Sequence, residues 1–199
     1  MKKFLPVLLV AFFATTFFSS TNAHAAICSI ISSRTVDNVA AGEGTAGNGA
    51  AFDNVGAWTL TVADAQTISA SAGVSIITTG TAGGQGTITF LGASTVTGSI
   101  GSVAGSVLAV NGGSPTKTVT FTGDVFAGTM SVTGTGTLAF TGNLSTTLGA
   151  GLTTFTGNGT ISASGNVFST NGITTSTATT GNLILAGAGA QTVTGTVGT

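Results

Sequence analysis

Large apolar residues and threonine alternate along most of this chain. Trp58-Thr59-Leu60-Thr61-Val62 sets the pattern, and Thr87-Ile88-Thr89-Phe90, Thr118-Val119-Thr120-Phe121 and Thr137-Leu138-Ala139-Phe140 repeat it. A period of two is the signature of a half-buried strand, with one row of side chains facing a core and the next facing water. The same reading predicts a first strand at Ile27–Ile31 and further strands at Leu152–Phe155 and at Gln66–Ala70, Val74–Thr78 and Thr87–Leu91, the last three each closed by Gly, Asp or Asn. Beyond the N-terminal leader, helix signals are essentially missing.

One phrase recurs between Thr118 and Thr160: Phe121-Thr122-Gly123-Asp124, Phe140-Thr141-Gly142-Asn143 and Phe155-Thr156-Gly157-Asn158. A degenerate copy ends at Phe90 and a late variant at Leu185, so the copies are unevenly spaced, with those at Phe121, Phe140 and Phe155 closest together. Gly165-Asn166, Asn171 and Asn182 fit weaker copies within the long gaps. A unit of roughly 15 to 20 residues with short strands predicts an all-β chain, a right-handed parallel β-helix (β-solenoid) of irregular short repeats. One coil of such a fold cannot bury its own apolar face, whereas stacked coils bury a continuous column. In this reading Phe fills the core, Thr steps out of it, and Gly-Asx turns the corner because both residue types tolerate positive φ. A sandwich or up-and-down barrel is the rival, since its strands also recur at intervals of roughly 8 to 12 residues. The similarity of the turn phrase favours the solenoid.

The N-terminus reads as a signal helix. Lys2 and Lys3 precede an apolar run from Phe4 to Phe18, and Ala23-His24-Ala25 supplies the small residues of a cleavage site, which places the cut after Ala25. The run is shorter than the roughly 20 residues that span a bilayer. Three parts follow: a signal peptide (1–25), a polar cap or lead-in (26–57) holding Arg34, Asp37, Glu43 and Asp53, and solenoid repeats (58–199). Cys28 is the lone thiol, so no intrachain disulfide is available. Ile27 before it departs from the small residue expected ahead of a lipid-modified cysteine.

Charge narrows the chemistry. Charged residues make up only 5% of the chain, yet mean hydropathy is +0.57, which separates it from charged disordered tails. Without the leader, Arg34 and Lys117 oppose Asp37, Glu43, Asp53, Asp64 and Asp124, or 2 − 5 = −3, and no histidine remains. Two isolated cations predict no nucleic-acid partner. The acids lack a catalytic spacing, Gly42-Glu43-Gly44 and Gly83-Gly84-Gln85-Gly86 lack the lysine and helix of a phosphate loop, and no His-Cys cluster suggests a metal. The expectation is a non-enzyme without a cofactor or catalytic residues, in which Phe121, Gly123, Asp124, Phe140, Gly142, Asn143, Phe155, Gly157 and Asn158 are structural repeat corners. Thr-x-Thr pairs at Thr59/Thr61, Thr87/Thr89, Thr118/Thr120 and Thr192/Thr194 suggest an alternative, a Thr-ladder module that binds ice or carbohydrate.

Gly86-Thr87-Ile88-Thr89-Phe90, Lys117 to Asp124 and Gly136 to Asn143, behind a cleavable leader, resemble the passenger of a bacterial autotransporter, most closely the rickettsial surface-cell-antigen and outer-membrane-protein group. The likeness covers residues 58–199 and rests on low-complexity repeats. It implies an exported adhesin or surface antigen at the cell surface or outer membrane, or secreted, with host-cell or surface-layer components as partners. It also implies an outer-membrane translocator. No alternating barrel strands with aromatic girdles occur here, so the expectation is a fragment of a longer or split gene, or a passenger moved by a separate chain. Open ends and low charge predict self-association.

Overall fold

The computed structural model describes residues 28–30, 34–36, 50–52, 58–78, 84–146 and 151–198. The leader, and with it His24 and the cleavage site, lies outside the described residues, as do Asp37, Glu43 and Asp53. The described residues are all β, with no helix among them. Their strands are β1 (Cys28–Ile30), β2 (Arg34–Val36), β3 (Ala50–Phe52), β4 (Thr59–Val62), β5 (Gln66–Thr78), β6 (Gln85–Phe90), β7 (Ser94–Ile100), β8 (Val107–Gly112) and β9 (Thr118–Phe121). There follow β10 (Val125–Val132), β11 (Thr137–Phe140), β12 (Leu144–Thr146), β13 (Leu152–Phe155), β14 (Thr160–Ala163), β15 (Val167–Ser169), β16 (Ile173–Thr175), β17 (Asn182–Leu185) and β18 (Val193–Thr194).

Every pairing between them is parallel, and the pairs sort into three faces that the chain visits in turn. On the first face, the start of β5, the start of β7, β9, β11, β14 and β17 stack in that order. On the second, β1, β3, the ends of β5 and β7, the start of β10, β12, β15 and β18 stack likewise. On the third come β2, β4, β6, β8, the end of β10, β13 and β16, closed by a bridge from Ile173 to Val197. The molecule is a three-sided β-solenoid. Parallel neighbours cannot be joined by a tight hairpin; here each partner is reached by one full circuit of the other two faces.

Alternation is the reason the strands bury one side. β4, β6, β9, β11 and β14 each place their second and fourth residues, or every second residue, in the core. On the first face Ile68, Val96, Phe121, Phe140 and Ala163 lie over one another in register and are at most 1% exposed. Phe121 meets Phe140 in a parallel stack at 4.7 Å and Phe90 edge-on at 5.4 Å. On the third face Leu60, Ile88, Val110 and Met130 form a second buried column. Small residues sit where neighbours are large: a Cβ on Gly112 would lie 2.8 Å from the Leu138 side chain.

Three expectations change. The unit is one whole circuit rather than the shorter spacing of the phrase: at one corner the equivalent residues Asp124, Asn143, Asn166 and Thr192 follow at steps of 19, 23 and 26. Stacking also begins before residue 58, because β3 pairs with β5 and Phe52 is fully buried in the same core. Finally, Gln66–Ala70 and Val74–Thr78 are one strand, β5, which rounds a corner with register shifts between Ser69 and Ile76. Pro115 takes the turn between β8 and β9, as its missing N–H requires, while Asn111 and Gly112 belong to β8.

Candidate functional site

The residues that carry the repeated phrase occupy two corners. Phe121 and Phe140 are register partners on the first face, and the phrases they open turn the chain onto the second face. Phe155 pairs with Val132 on the third face, so Phe155-Thr156-Gly157-Asn158 turns the chain from the third face onto the first. Phe90 shares that corner through its pairing with Val62, and Leu185 stacks on Ala163 at the other. The stretch from Phe140 to Phe155 therefore covers only part of a circuit, and the two rings are not stacked partners.

At the first corner the Asx side chains form a ladder along the solenoid. The Asp124 carboxylate accepts the Asn143 backbone N–H at 2.7 Å and its side-chain amide at 3.2 Å. The Asn143 side-chain oxygen accepts the Asn166 N–H at 2.9 Å, and that of Asn166 accepts the Thr192 N–H at 2.8 Å. Asn158 repeats the arrangement at the other corner, taking the Gly181 N–H at 3.3 Å. Positive φ plays no part at these positions: the described non-glycine residues with that geometry are Ala65, Thr116 and Thr179, and Gly123, Gly142 and Gly157 lack it. What the corner glycines supply is closeness. A Cβ on Gly142 would lie 2.6 Å from the Gly123 carbonyl carbon, and one on Gly157 2.7 Å from the Gly134 carbonyl oxygen. Asn143→Ala leaves the Asn166 N–H without its acceptor and should cost about 1 kcal/mol, whereas Asp124→Asn keeps an acceptor and should cost less. Urea unfolding of the two variants checks the order.

Among the described residues one ion pair forms, between Asp64 and Lys117. Asp64, after β4, accepts the Ala93 N–H at 2.6 Å from the coil above and meets Lys117 Nζ, two coils above, at 2.7 Å. Gly92 lets this happen, since a Cβ there would collide with the Asp64 side chain. The Lys117 ammonium, helped by the Ala93 N–H, holds the Asp64 carboxyl below the usual carboxylate range. A carboxyl depressed by folding stabilises the fold above its unfolded value and loses that contribution as pH falls through the folded one. The gap between wild type and Asp64→Asn should therefore be open at neutral pH and close in acid, which a urea series across pH reads directly. Half-exposed partners make that gap small and salt-sensitive.

Outward rows give the surface its character. On the third face Thr61, Thr89, Asn111, Ser131, Thr154 and Thr174 are in register, one per coil. On the first face Thr67, Thr95 and Thr120 continue into Ala139 and Ser162. A groove of about 210 Å³ on this face is lined by Thr67, Thr95 and Thr120 together with Gln66, Ser94 and Thr118. The four Thr-x-Thr pairs do not form one array. Thr59/Thr61 lie under Thr87/Thr89, but Ala109/Asn111 follow, Thr118/Thr120 are on the first face, and Thr194 is on the second.

Among the described residues no group of three metal-ligating side chains converges. Asp64 is engaged by Lys117, and Asp124 by Asn143 at a different corner. Sequence reasoning missed one polar cluster, in the core itself: Thr146, Thr153 and Ser169 are fully buried, with Thr146 Oγ1 donating to Ser169 Oγ at 2.9 Å and Ser169 Oγ donating to the Gly172 carbonyl at 2.7 Å. Threonine alternates outward in nearly every strand, so nothing in the pattern distinguished these hydroxyls from those facing water.

No protein-family profile, curated protein or solved structure matches this chain.

Proposed function

We propose that this chain is a non-enzymatic exported surface protein, a passenger fragment of autotransporter type that acts in adhesion or as a surface antigen. The observation that carries the reading is a rigid stack of coils presenting in-register Thr, Ser and Asn rows, behind a leader with the three-part form of a signal peptide. Such rows offer repeated donors and acceptors at the spacing of parallel strands, about 4.8 Å. That suits extended contact with a polysaccharide or protein surface better than capture of a small molecule. The Asp64 carboxylate is engaged by Lys117 and the Asp124 carboxylate by Asn143, at different corners, and no histidine follows residue 24. Host-cell or surface-layer components are the partners this reading implies, with an outer-membrane translocator in the same or a separate chain.

The test is export. Expressed from its own start in a bacterium with an outer membrane, the product should be recovered with Ala26 as its first residue and be cut by protease added to intact cells. Retention in the cytoplasm with residues 1–25 still attached overturns the proposal. A second reading, an ice- or carbohydrate-binding module, draws on the two coils in which Thr59/Thr61 and Thr87/Thr89 stack. It requires thermal hysteresis or glycan binding that Thr87→Val and Thr89→Val abolish.

A further inference from the structure

On the first face Gln66 and Ser94 lie in register one coil apart, with Val119 above them. Strand side chains alternate, so the residues on either side of this column face outward together. Ala65, Ala93 and Thr118 make one outward row, Thr67, Thr95 and Thr120 the next, and the groove of about 210 Å³ lies among them. Alanine in two successive coils makes the surface concave there. The same row continues above Thr118 through Thr137 and Thr160, and the neighbouring row beside the alanines is threonine throughout. The volume falls below the roughly 300–1,000 Å³ of sites that enclose a free ligand, so the groove suits one small ring of a longer molecule.

The Asp64–Lys117 pair borders the groove at the corner. Asp64 directly precedes Ala65 and Lys117 directly precedes Thr118; between them Asp64 Oδ1 accepts the Ala93 N–H at 2.6 Å while Oδ2 meets Lys117 Nζ at 2.7 Å. The two side chains are 43% (Lys117) and 51% (Asp64) exposed, which leaves both heads open to further hydrogen bonds. The backbone on this side is strained. Ala65 (φ 60°), just after Asp64, and Thr116 (φ 57°), just before Lys117, are two of the three described non-glycine residues with positive φ, and non-glycine residues in that region gather at ligand clamps and active sites. On the other side, the hydroxyls of Thr67, Thr95 and Thr120 make no hydrogen bond to other described residues. Those of Thr122, Thr133 and Thr156 bond to a carbonyl one coil below.

We propose that this groove binds one pyranose ring of a neutral polysaccharide. Such a ring has apolar C–H faces and a rim of hydroxyls. The methyl groups of Ala65 and Ala93 meet a face, while the threonine row and the ion pair meet the rim from opposite sides. Adjacent sugar hydroxyls each donate and accept, and the Asp64 carboxylate and Lys117 ammonium offer an acceptor and a donor side by side. An acidic sugar or a phosphate fits worse, because the one cation at the groove is already held by Asp64 and a further anion would face that carboxylate. This ligand class rests on the adhesion reading above and narrows its partner to a glycan.

Isothermal titration of the full gene product, as recovered from expressing cells, tests the proposal with dextran, mannan and galactan as neutral probes and hyaluronate as the acidic one. At least one neutral polymer should bind, and more tightly than hyaluronate. Ala93→Leu, which fills the groove from an outward position, should weaken that binding about tenfold or more. Thr120→Val, which removes a hydroxyl at nearly constant size, should weaken it by a smaller factor. Thr87→Val with Thr89→Val, on the third face, should leave it unchanged. Circular dichroism establishes that each variant keeps its strands. Wild type that binds none of the neutral polymers, a preference for hyaluronate, binding that survives both Ala93→Leu and Thr120→Val, or binding lost with the third-face pair would each overturn it. Export is scored separately, by the first residue and by protease access. A cleaved, surface-exposed product that binds no glycan therefore overturns this inference alone, whereas a glycan binder retained in the cytoplasm overturns the passenger reading alone.

Discussion

Phe121→Ala should be the most damaging single truncation in the solenoid, at about 3–5 kcal/mol. The ring is fully buried, sits between Val96 below and Phe140 above in the first-face column, stacks on Phe140 at 4.7 Å and takes the edge of Phe90 at 5.4 Å. Its removal loses the transfer energy of the side chain, leaves a cavity bounded by two coils that cannot collapse without breaking register, and abolishes two ring contacts, each contributing about 0.5–1.5 kcal/mol. Equilibrium urea unfolding measures the loss. Because coils contact mainly their neighbours, hydrogen exchange should show protection falling first in β7, β9 and β11 and less at β16 and β17. A double-mutant cycle sharpens the test. Phe121 and Phe140 should couple by about 0.5 kcal/mol or more, as touching residues do. Phe121 and Phe155, on different faces, should be nearly additive. Coupling of the second pair equal to the first would contradict the register.

That contrast also marks how far the sequence could be read. The alternation of Thr with Val, Ile, Leu and Phe marked an all-β chain, and the recurrence of the turn phrase favoured a solenoid over a sandwich or barrel. It did not suffice for the register. Phe-Thr-Gly-Asx is a local solution to leaving a strand for a corner, and the chain uses it at two corners of the same circuit, so equal phrases marked different faces. Only pairing across coils separates Phe155 over Val132 from Phe140 over Phe121. The beginning of the stack was hidden for another reason: Ala50–Phe52 is too short and too small in side chain to register as a strand until β5 lies against it. The buried Thr146, Thr153 and Ser169 were invisible because their pattern matches that of hydroxyls in water. Enclosed in the core, they are satisfied by one another and by carbonyls, as a buried polar group must be.

The corner glycines yield the second large effect, and it separates two explanations of the same residue. If Gly142 were required for positive φ, any L-residue would be strained there wherever the neighbours stood. Its φ is ordinary, and the obstacle is the coil beneath: a Cβ would lie 2.6 Å from the Gly123 carbonyl carbon and 2.7 Å from both the Gly123 carbonyl oxygen and the Asp124 carboxylate. Two of those atoms are backbone, held in place by the Thr122 N–H bond to Val96 and the Val125 N–H bond to the Asn143 carbonyl on either side. Relief must come from separating the coils, which also lengthens the Asp124–Asn143 bond. Gly142→Ala should therefore cost about 1–3 kcal/mol by overpacking, reduced by the roughly 0.4–1 kcal/mol that alanine gains by restricting the unfolded chain. Gly142→Val should cost more. Gly189 is the control, since nothing lies within 4 Å of a Cβ built there and its φ is also ordinary; Gly189→Ala should stabilise by about 0.4–1 kcal/mol. The comparison requires only urea midpoints at constant slope. Equal losses at 142 and 189 would remove close approach as the cause, while a loss at 142 alone, accompanied by faster exchange of the Asn143 amide, makes coil spacing the quantity that the Phe-Thr-Gly-Asx corner controls.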